Sequence, residues 1–232
     1  MSLFNLAILI SGNGSNLQAV IDATENGHIP KARVALVVSN REGVYGLERA
    51  ENHGIPSVVI EKNNTAKLLE MLESYMIDGI VLAGYLSILP PDVINEYSGR
   101  IINIHPALLP MFGGKGFYGI RVHKAVLASG MRYSGATAHI VDCGIDTGAA
   151  LVRGVVPVLE NDSAEDLQRR VLSVEHGVLV RAVKIMIENK TEEMVEKPIV
   201  LIDAKDKEGV LEFAKGLAEL GNRLINEDNG EI

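Results

Sequence analysis

The stretch that decides the fold is Leu6–Ile21, LAILISGNGSNLQAVI. Leu6–Ile10 is an uninterrupted apolar run with the length of a buried strand, and Leu17–Thr24 has the apolar spacing of an amphipathic helix. Between them, Ser11–Asn16 holds two glycines, two amides and two hydroxyls. A strand, a short polar turn and a helix in this order place backbone N–H groups at a helix N-terminus. This arrangement favours binding of an anion, most often a phosphate.

Composition and charge limit the class of protein. The 232 residues are 47% hydrophobic and 22% charged, as in soluble globular proteins, and the net charge of −8 argues against nucleic acid as the main partner. No apolar stretch reaches the ~18 residues of a membrane-spanning helix, so we expect neither a membrane partner nor a secretion signal. The single cysteine, Cys143, cannot form an internal disulfide, which fits a reducing compartment. We therefore expect a cytoplasmic protein.

Short apolar runs alternate with helical patterns along the first half of the chain. The predicted strands are Leu6–Ile10, Val34–Val38, Val58–Ile60, Gly79–Ala83 and Ile101–Ile104, and the predicted helices between them are Leu17–Thr24, Gly46–His53, Ala66–Met76 and Pro91–Tyr97. This alternation predicts an α/β fold, a doubly wound and mostly parallel sheet with helices on both faces. Ligands of such sheets bind beyond the carboxyl ends of the strands, which draws attention to Ser11–Asn16, Gly84–Leu89 and Asn103–Gly119.

The pattern changes in the second half. His123–Ser129 is predicted to be helical, and Ser134–Val141 and Ala150–Val158 are predicted to be antiparallel strands. A long helix is predicted from the N-cap Ser163 to about Asn189. We expect residues 1–190 to form one domain and residues 191–232 to form an extension. The extension would consist of a linker at Thr191–Lys197, a strand at Ile199–Asp203 and a helix at Glu208–Leu220.

The segment Asn103-Ile104-His105-Pro106 ends a strand with two functional side chains on one face. Together they can hydrogen-bond one carbonyl oxygen, although an Asn that caps a loop and a His that fills a gap give the same pattern. Asp142 or Asp146 can reach the imidazole, raise its pKa and keep a protonated form near neutral pH. The alternative for this glycine-containing segment is a solvated turn.

Five motifs, in this order, carry a resemblance to a known family: ISGNGSNLQ (Ile10–Gln18), LAGYLSIL (Leu82–Leu89), IINIHPALLP (Ile101–Pro110), SGATAHIVDCGIDTG (Ser134–Gly148) and VEH (Val174–His176). Over about Leu6–Asn189 the chain resembles the phosphoribosylglycinamide formyltransferases, the folate-dependent transformylases of purine synthesis. The third motif, IINIHPALLP, and the HIVDCGIDTG part of the fourth motif are shared with other formyl-folate enzymes. SGNGSN together with VEH is more particular to this family.

The resemblance implies a site, residue by residue. It implies that Asn103, His105 and Asp146 are catalytic and that His139 supports them. It assigns the nucleotide's phosphate and ribose to Gly14, Ser15 and Asn16, and its glycinamide end to the segment Leu172–Glu175, chiefly Glu175. It places the pterin of 10-formyltetrahydrofolate beside Asn103 and two loops: Tyr85, Leu86, Ser87, Ile88 and Leu89, and Asp142, Cys143, Gly144, Ile145 and Asp146.

The implied reaction transfers the formyl group from N10 of the folate to the amine of phosphoribosylglycinamide. Asn103 N–H and a protonated His105 would stabilise the oxyanion, and Asp146 would favour the imidazolium and help to move protons through an ordered water. No metal is needed. The partners would be these small molecules only, and we expect a monomer or a weak homodimer.

Three places depart from the family pattern. Ser87 stands where an arginine next to the folate is common, and the short segment Glu61–Ala66 lacks another, for which Lys62 or Lys67 is a candidate substitute. Met111–Gly119 is long and glycine-rich, as expected either of a mobile flap over the site or of a loop variant typical of one branch of the family. The first two changes predict weaker folate binding more than weaker catalysis.

The segment Ile199–Leu220 resembles the first strand and helix of the bifunctional aminoimidazolecarboxamide ribonucleotide transformylase and inosinate cyclohydrolase. It is either the remnant of a fused or adjacent gene or an added helix that packs on the body.

Two other functions compete with the transferase. A 10-formyltetrahydrofolate hydrolase would use water as acceptor and would not need SGNGSN. A non-catalytic nucleotide-binding protein would keep the pocket without the chemistry, and the joint presence of Asn103, His105 and Asp146 weighs against it.

Overall fold

An eight-stranded sheet with the strand order β3-β2-β1-β4-β5-β6-β7-β8 forms the centre of the molecule. The computed structural model describes residues 2–62, 64–189 and 199–202. The strands are β1 (Phe4–Ile10), β2 (Ala32–Ser39), β3 (Ser57–Val59), β4 (Gly79–Leu82), β5 (Ile101–His105), β6 (Tyr133–Ile140), β7 (Ala150–Pro157) and β8 (Ile199–Ile202). The helices are α1 (Ser15–Glu25), α2 (Tyr45–Asn52), α3 (Thr65–Ser74), α4 (Pro91–Glu96), α5 (Ile120–Ala128) and α6 (Ala164–Ile187).

The strand directions follow the two halves of the sequence. β1 to β5 pair in parallel, β6 is antiparallel to both β5 and β7, and β8 is parallel to β7. The chain builds outward from β1 to β3 and then returns to add β4 on the other side, so the switch point lies between β1 and β4. The carboxyl ends of these two strands are the expected ligand position in such a sheet.

The sheet separates two apolar layers, which confirms the doubly wound fold. Along β1, Leu6, Ile8 and Ile10 point into one layer, which includes the buried face of α6, while Ala7 and Leu9 point into the layer beneath α3 and α4. This strict alternation follows from the period of two along a strand. The strand is apolar at both phases because both of its faces are covered.

The predicted N-cap of the longest helix is confirmed. The Ser163 hydroxyl accepts a hydrogen bond from Asp166 N–H, and the Asp166 side chain accepts one from Ser163 N–H, which together form a capping box. α6 ends at Ile187, two residues before the predicted boundary. Its buried face packs on β6, β7 and α1, and it thereby carries Glu175 to the start of α1.

The predicted strand of the C-terminal extension is present as β8, which joins the sheet at the edge of β7. The predicted linker at Thr191–Lys197 and the predicted helix at Glu208–Leu220 lie outside the described residues. In the described ranges, no helix has both the length and the apolar character that a membrane crossing demands.

Candidate active site

The loop between β1 and α1 brings the N-terminus of α1 to a cavity. Gly14 is the N-cap and has a φ of 76°, a left-handed conformation that glycine adopts without a steric penalty. Among the described residues, no side chain caps this helix and no acidic residue lies in its first turn. The partial positive charge of the helix N-terminus therefore remains available at the cavity wall, which Ser15 and Asn16 form.

The register between β5 and β6 makes Asn103 and His139 direct cross-strand partners. Nδ2 of Asn103 donates to Nε2 of His139 at 3.0 Å and to Oδ1 of Asp146 at 3.3 Å. Nδ1–H of His139 donates to the carbonyl of Ile140 at 2.8 Å, which leaves Nε2 as an acceptor. Both hydrogens of the Asn103 amide are thus used inside the cluster. For Asn103 to donate to an oxyanion, as the sequence analysis expects, one of these contacts must be exchanged.

His105 lies two residues further along β5 and is 4% exposed. Its Nδ1 is 3.4 Å from Oδ2 of Asp146, and its Nε2 donates to the carbonyl of Phe112 at 2.8 Å. Burial lowers the pKa of His105, although the Asp146 carboxylate and the Phe112 carbonyl oppose this shift. Asp146 thus raises the pKa of this histidine as expected, but desolvation of the imidazolium outweighs its attraction to the carboxylate, and the net pKa lies below the ordinary value instead of being held near neutral pH.

Asp146 is the one of the two candidate aspartates that reaches the imidazole. Burial favours a raised pKa for Asp146, but the neighbouring His139 and His105 rings and the N–H of Gly114 together lower it. The Gly114 N–H donates to Oδ2 at 3.0 Å. The φ of Asp146 is 58°, a conformation that residues with side chains adopt only where the surroundings impose it.

Asp142 closes its own loop and does not contact the imidazole. Its Oδ1 accepts from the N–H of Gly144 at 3.0 Å and from the hydroxyl of Thr147 at 2.6 Å. This turn shapes the cavity wall that also carries the exposed thiol of Cys143.

Glu175 of α6 meets α1 at Asn16, whose Nδ2 donates to the carboxylate oxygen Oε1 at 2.6 Å. Burial raises the pKa of Glu175 to about 7, and the hydrogen bond from Asn16 opposes this shift only in part. Oδ1 of Asn16 is buried and has no hydrogen-bond partner within the described chain. A carboxylate and an unpaired amide oxygen form a pair of acceptors suited to ligand hydroxyl groups.

One cavity of about 760 Å³ brings the predicted residues together. Of the residues predicted to bind or act, all except Gly14, the buried N-cap, line its wall: Ser15, Asn16, Tyr85, Leu86, Ser87, Ile88, Leu89, Asn103, His105, Asp142, Cys143, Gly144, Ile145, Asp146, Leu172 and Glu175. His139, predicted to support the site, lines it as well.

The sequence analysis missed Arg41, a cation on the cavity wall after β2. Neither Lys62 nor Lys67, the candidates for a substitute arginine, belongs to the wall, and Lys67 pairs with Glu70 at 3.2 Å. The residue next to Arg41, Asn40, donates to the hydroxyl of Ser87 at 2.7 Å, so Arg41 is held beside the loop that lacks its arginine. The signal in the sequence was a cation in the short turn after a predicted strand, three residues beyond Val38.

The glycine-rich segment Met111–Gly119 packs against the cluster. Its residues 114–119 line the cavity, and the Phe112 carbonyl accepts the hydrogen bond that Nε2 of His105 donates. A Cβ on Gly113 would lie 2.5 Å from Leu109 Cδ2 and 3.3 Å from Asp146 Cβ, so a larger residue there would require the Leu109 side chain to shift.

Residues 2–62, 64–189 and 199–202 contain no group of three or more His, Cys, Asp or Glu side chains arranged to hold a metal ion.

Comparisons with known proteins show which family the chain is similar to. The model of the formyl transferase family matches residues 4–183. A chloroplastic phosphoribosylglycinamide formyltransferase from Vigna unguiculata is 42% identical over 192 residues, 80% of this chain and 61% of that protein. The phosphoribosylglycinamide formyltransferase of Haemophilus influenzae is 37% identical over 192 residues, which are 80% of this chain and 88% of that protein.

Solved structures share the fold. The crystal structure of glycinamide ribonucleotide transformylase 1 from Symbiobacterium toebii superposes with a TM-score of 0.75 at 36% identity, covering 81% of this chain and 89% of that one. A formyltetrahydrofolate deformylase from Pseudomonas syringae has a TM-score of 0.74 at 26% identity, and the match covers 81% of this chain but 62% of that one. The chain likewise spans only about three fifths of the length of the Vigna relative.

Proposed function

The chain belongs to the formyl transferase family, and within it to the phosphoribosylglycinamide formyltransferases. On that basis we propose that it transfers the formyl group of 10-formyltetrahydrofolate to the amine of phosphoribosylglycinamide, in de novo purine biosynthesis. The observation that carries the proposal is that one cavity contains two half-sites, one for each substrate. An anion-binding helix N-terminus with an acceptor pair lies in the same cavity wall as the cluster of Asn103, His105 and Asp146.

The nucleotide half-site uses α1 and α6. We assign the phosphate to the uncapped N-terminus of α1 at Gly14, Ser15 and Asn16. Glu175 and the free Oδ1 of Asn16 then accept hydrogen bonds from the polar groups of the nucleotide beyond its phosphate, with Leu172 contributing apolar contact. This half-site explains why a protein of net charge −8 binds an anionic substrate, since the attraction is local.

The folate half-site presents unusually exposed apolar side chains at the cavity mouth. Leu86 is 52% exposed, Ile88 69% and Ile145 39%. A patch of this kind marks a ligand surface, and it fits the flat, partly apolar pterin and aryl rings of a folate. The folate is the donor substrate of the reaction, and the carbon that it gives up is the formyl carbon. Arg41 lies beside this half-site, where it can meet the carboxylates of the folate.

His105 and Asp146 are placed to handle the charge and the proton of the transfer. The amine forms a bond to the formyl carbon, the bond from that carbon to N10 breaks, and one amine proton ends on N10. Nε2–H of His105 donates to the formyl oxygen as negative charge develops there, once it leaves the Phe112 carbonyl. Nδ1 can take up the amine proton because the ionised Asp146 already faces it at 3.4 Å. No step requires a metal.

The proposal is tested by incubating the purified protein with both substrates and following the folate by its absorbance. We expect turnover that depends on the nucleotide. We also expect His105→Ala to lower kcat by about 10²–10³-fold, the usual cost of losing a donor to an oxyanion. Turnover that is equal without the nucleotide would contradict the transferase.

The same assay addresses the two alternatives. The structural likeness to a deformylase favours a 10-formyltetrahydrofolate hydrolase as the second candidate, and that enzyme would release free formate without nucleotide. Nucleotide binding without any turnover would indicate the non-catalytic binding protein.

The remaining assignments stay part of the proposal. We place the formyltransferase domain at residues 1–190 and the extension at 191–232, and we expect a cytoplasmic monomer or weak homodimer with small-molecule partners only.

A further inference from the structure

The nucleotide loop is held from behind by α2, which the sequence analysis left without a function. The N–H of Gly46, in the first turn of α2, donates to the carbonyl of Gly12 at 3.1 Å. Gly46 and Gly14 touch through their backbones, since a Cβ on Gly14 would lie 2.8 Å from Cα of Gly46. Two glycines in contact let the helix backbone lie directly against the loop backbone.

One turn further along α2, Arg49 makes three hydrogen bonds, two to the loop residue Asn13 and one to Gln18 of α1. Its Nε donates to the carbonyl of Asn13 at 2.9 Å, and its Nη2 donates to the side-chain Oδ1 of the same residue at 3.0 Å. Its Nη1 donates to Oε1 of Gln18 on α1 at 3.1 Å. The guanidinium also stacks on the Tyr45 ring, with 4.7 Å between Cζ and the ring centroid.

These contacts use the geometry of the guanidinium as well as its charge. The planar fork reaches two acceptors of one residue and a third on the following helix, which a lysine ammonium cannot do at one position. Arg49 does not line the cavity, so it has no direct contact with a ligand there. Any effect on binding must pass through Asn13 and the adjoining N-terminus of α1.

We propose that Arg49 is a positioning residue that fixes the segment Ser11–Asn16 in the conformation that receives the phosphate of the nucleotide. This inference rests on the proposed function, because it takes the α1 N-terminus as the phosphate site. Without the arginine, Asn13 loses two of its hydrogen bonds, and the N–H groups ahead of α1 are no longer aligned before the ligand arrives. The conformational entropy lost when the ligand orders these N–H groups then weakens binding.

The test measures binding of phosphoribosylglycinamide by calorimetry, without folate, to the full-length protein and to Arg49→Ala, Arg49→Lys and Arg100→Ala. Arg100 is a matched control. It also donates to backbone carbonyls, those of Asp78 and Glu96, and stacks on a tyrosine, but away from the cavity. Amide hydrogen exchange of residues 11–16 is followed in the same four proteins.

We expect Arg49→Ala to raise the Kd for the nucleotide about tenfold, as the loss of charge-assisted hydrogen bonds predicts, and to speed exchange in residues 11–16. Arg49→Lys should weaken binding nearly as much, whereas Arg100→Ala should match the wild type. In the transfer assay, the KM for the nucleotide should rise while kcat and the KM for folate stay within about twofold.

Wild-type affinity in Arg49→Ala would overturn the inference. Wild-type affinity in Arg49→Lys would overturn it too, because charge alone would then explain the effect. A third result separates the two claims. If the wild type binds the nucleotide and the Arg49 variants weaken that binding as expected, but the wild type transfers no formyl group, the proposed function fails while the positioning role of Arg49 stands.

Discussion

His105 faces a hydrogen-bond acceptor at each ring nitrogen, the Phe112 carbonyl and the Asp146 carboxylate. Two acceptors favour the imidazolium, but burial opposes the charge and the net pKa falls. A neutral ring with its hydrogen on Nε2 still donates to a developing oxyanion. Its unprotonated Nδ1 faces a carboxylate that stabilises a proton as soon as one arrives. The proposed transfer therefore does not require a charged histidine beforehand.

The first prediction concerns this titration. We expect the His105 ring, followed by NMR, to titrate below its ordinary value of 6.5, and Asp146→Asn to lower its pKa further by removing the attractive charge. Since the folded protein binds this proton less readily than the unfolded chain, His105 also reduces stability as the pH falls below 6.5. A pKa above 6.5 in the wild type would contradict the account.

Glu175 supports a second prediction. Its folded pKa of about 7 lies above the ordinary 4.5, so the folded protein binds the proton more tightly than the unfolded chain does. Stability is therefore lost as the pH rises from about 4.5 to about 7. We expect Glu175→Gln to raise the free energy of unfolding by about 1–3 kcal/mol at pH 8 and by little near pH 4.5, while weakening nucleotide binding.

Thermal unfolding of both proteins across this pH range measures the effect. Glu165→Gln, on the exposed first turn of the same helix, is the control. An equal gain at both ends of the pH range would show that ionisation of Glu175 is not its cause.

At the residue scale, the sequence predicted which side chains share a face but not what they contact. Alternation placed Asn103 and His105 together. Asn103 and His139 lie 36 positions apart in the chain. Their pairing depends on the register between β5 and β6, and no local pattern specifies that register. The contact of the Phe112 carbonyl with His105 could not be predicted either, because a backbone group carries no sequence signature. The pKa direction of His105 followed from burial, which a list of neighbouring charges does not give.

Among the elements, α6 carries Glu175 and packs on β6 and β7, and one glycine on each side of that packing tests it. Gly177 lies on the exposed side of the helix with no atom within 4 Å of an added Cβ, whereas a Cβ on Gly154 of β7 would lie 2.6 Å from Val178 Cγ2. The same substitution should therefore have opposite effects at the two positions.

We expect Gly177→Ala to stabilise the protein by about 0.5–1 kcal/mol, through helix propensity, and to raise Tm by roughly 1–4 °C. Gly154→Ala should destabilise it by about 1–3 kcal/mol through overpacking. Denaturant titration of each variant provides the comparison, and a stabilising Gly154→Ala would show that α6 does not press on β7 as described.

The regular elements were well predicted because each carries its own periodicity, and α6 also carries a side-chain cap at Ser163. The role of α2 was not predicted. Gly46 and Arg49 act on a loop more than 30 residues earlier in the chain, and only the fold brings them together.

On the scale of the whole molecule, alternation of strands and helices was sufficient to predict a doubly wound sheet, because parallel strands need helical crossovers. It did not specify the order of the strands, which places the cavity beside β1, β4 and β5 and sets β8 at the far edge. β8, the part of the extension that the structure describes, therefore joins the sheet away from the candidate site.

A fourth prediction follows from that distance. Ending the chain after Asn189 removes β8 and leaves β7 as the edge strand. We expect the shortened protein to fold and to retain its kcat and both KM values within about twofold, with a lower Tm because one strand pairing is lost. A loss of transfer activity at a temperature where the shortened protein remains folded would assign the extension to the site.

The most direct measurement uses 10-formyltetrahydrofolate with an isotopic label in the formyl carbon, mixed with phosphoribosylglycinamide and the full-length protein. Mass spectrometry then locates the label. The account predicts one labelled formyl group on the nucleotide for each folate consumed, and almost none when His105→Ala replaces the wild type. Label recovered as free formate, or retained on the folate despite bound nucleotide, would contradict it.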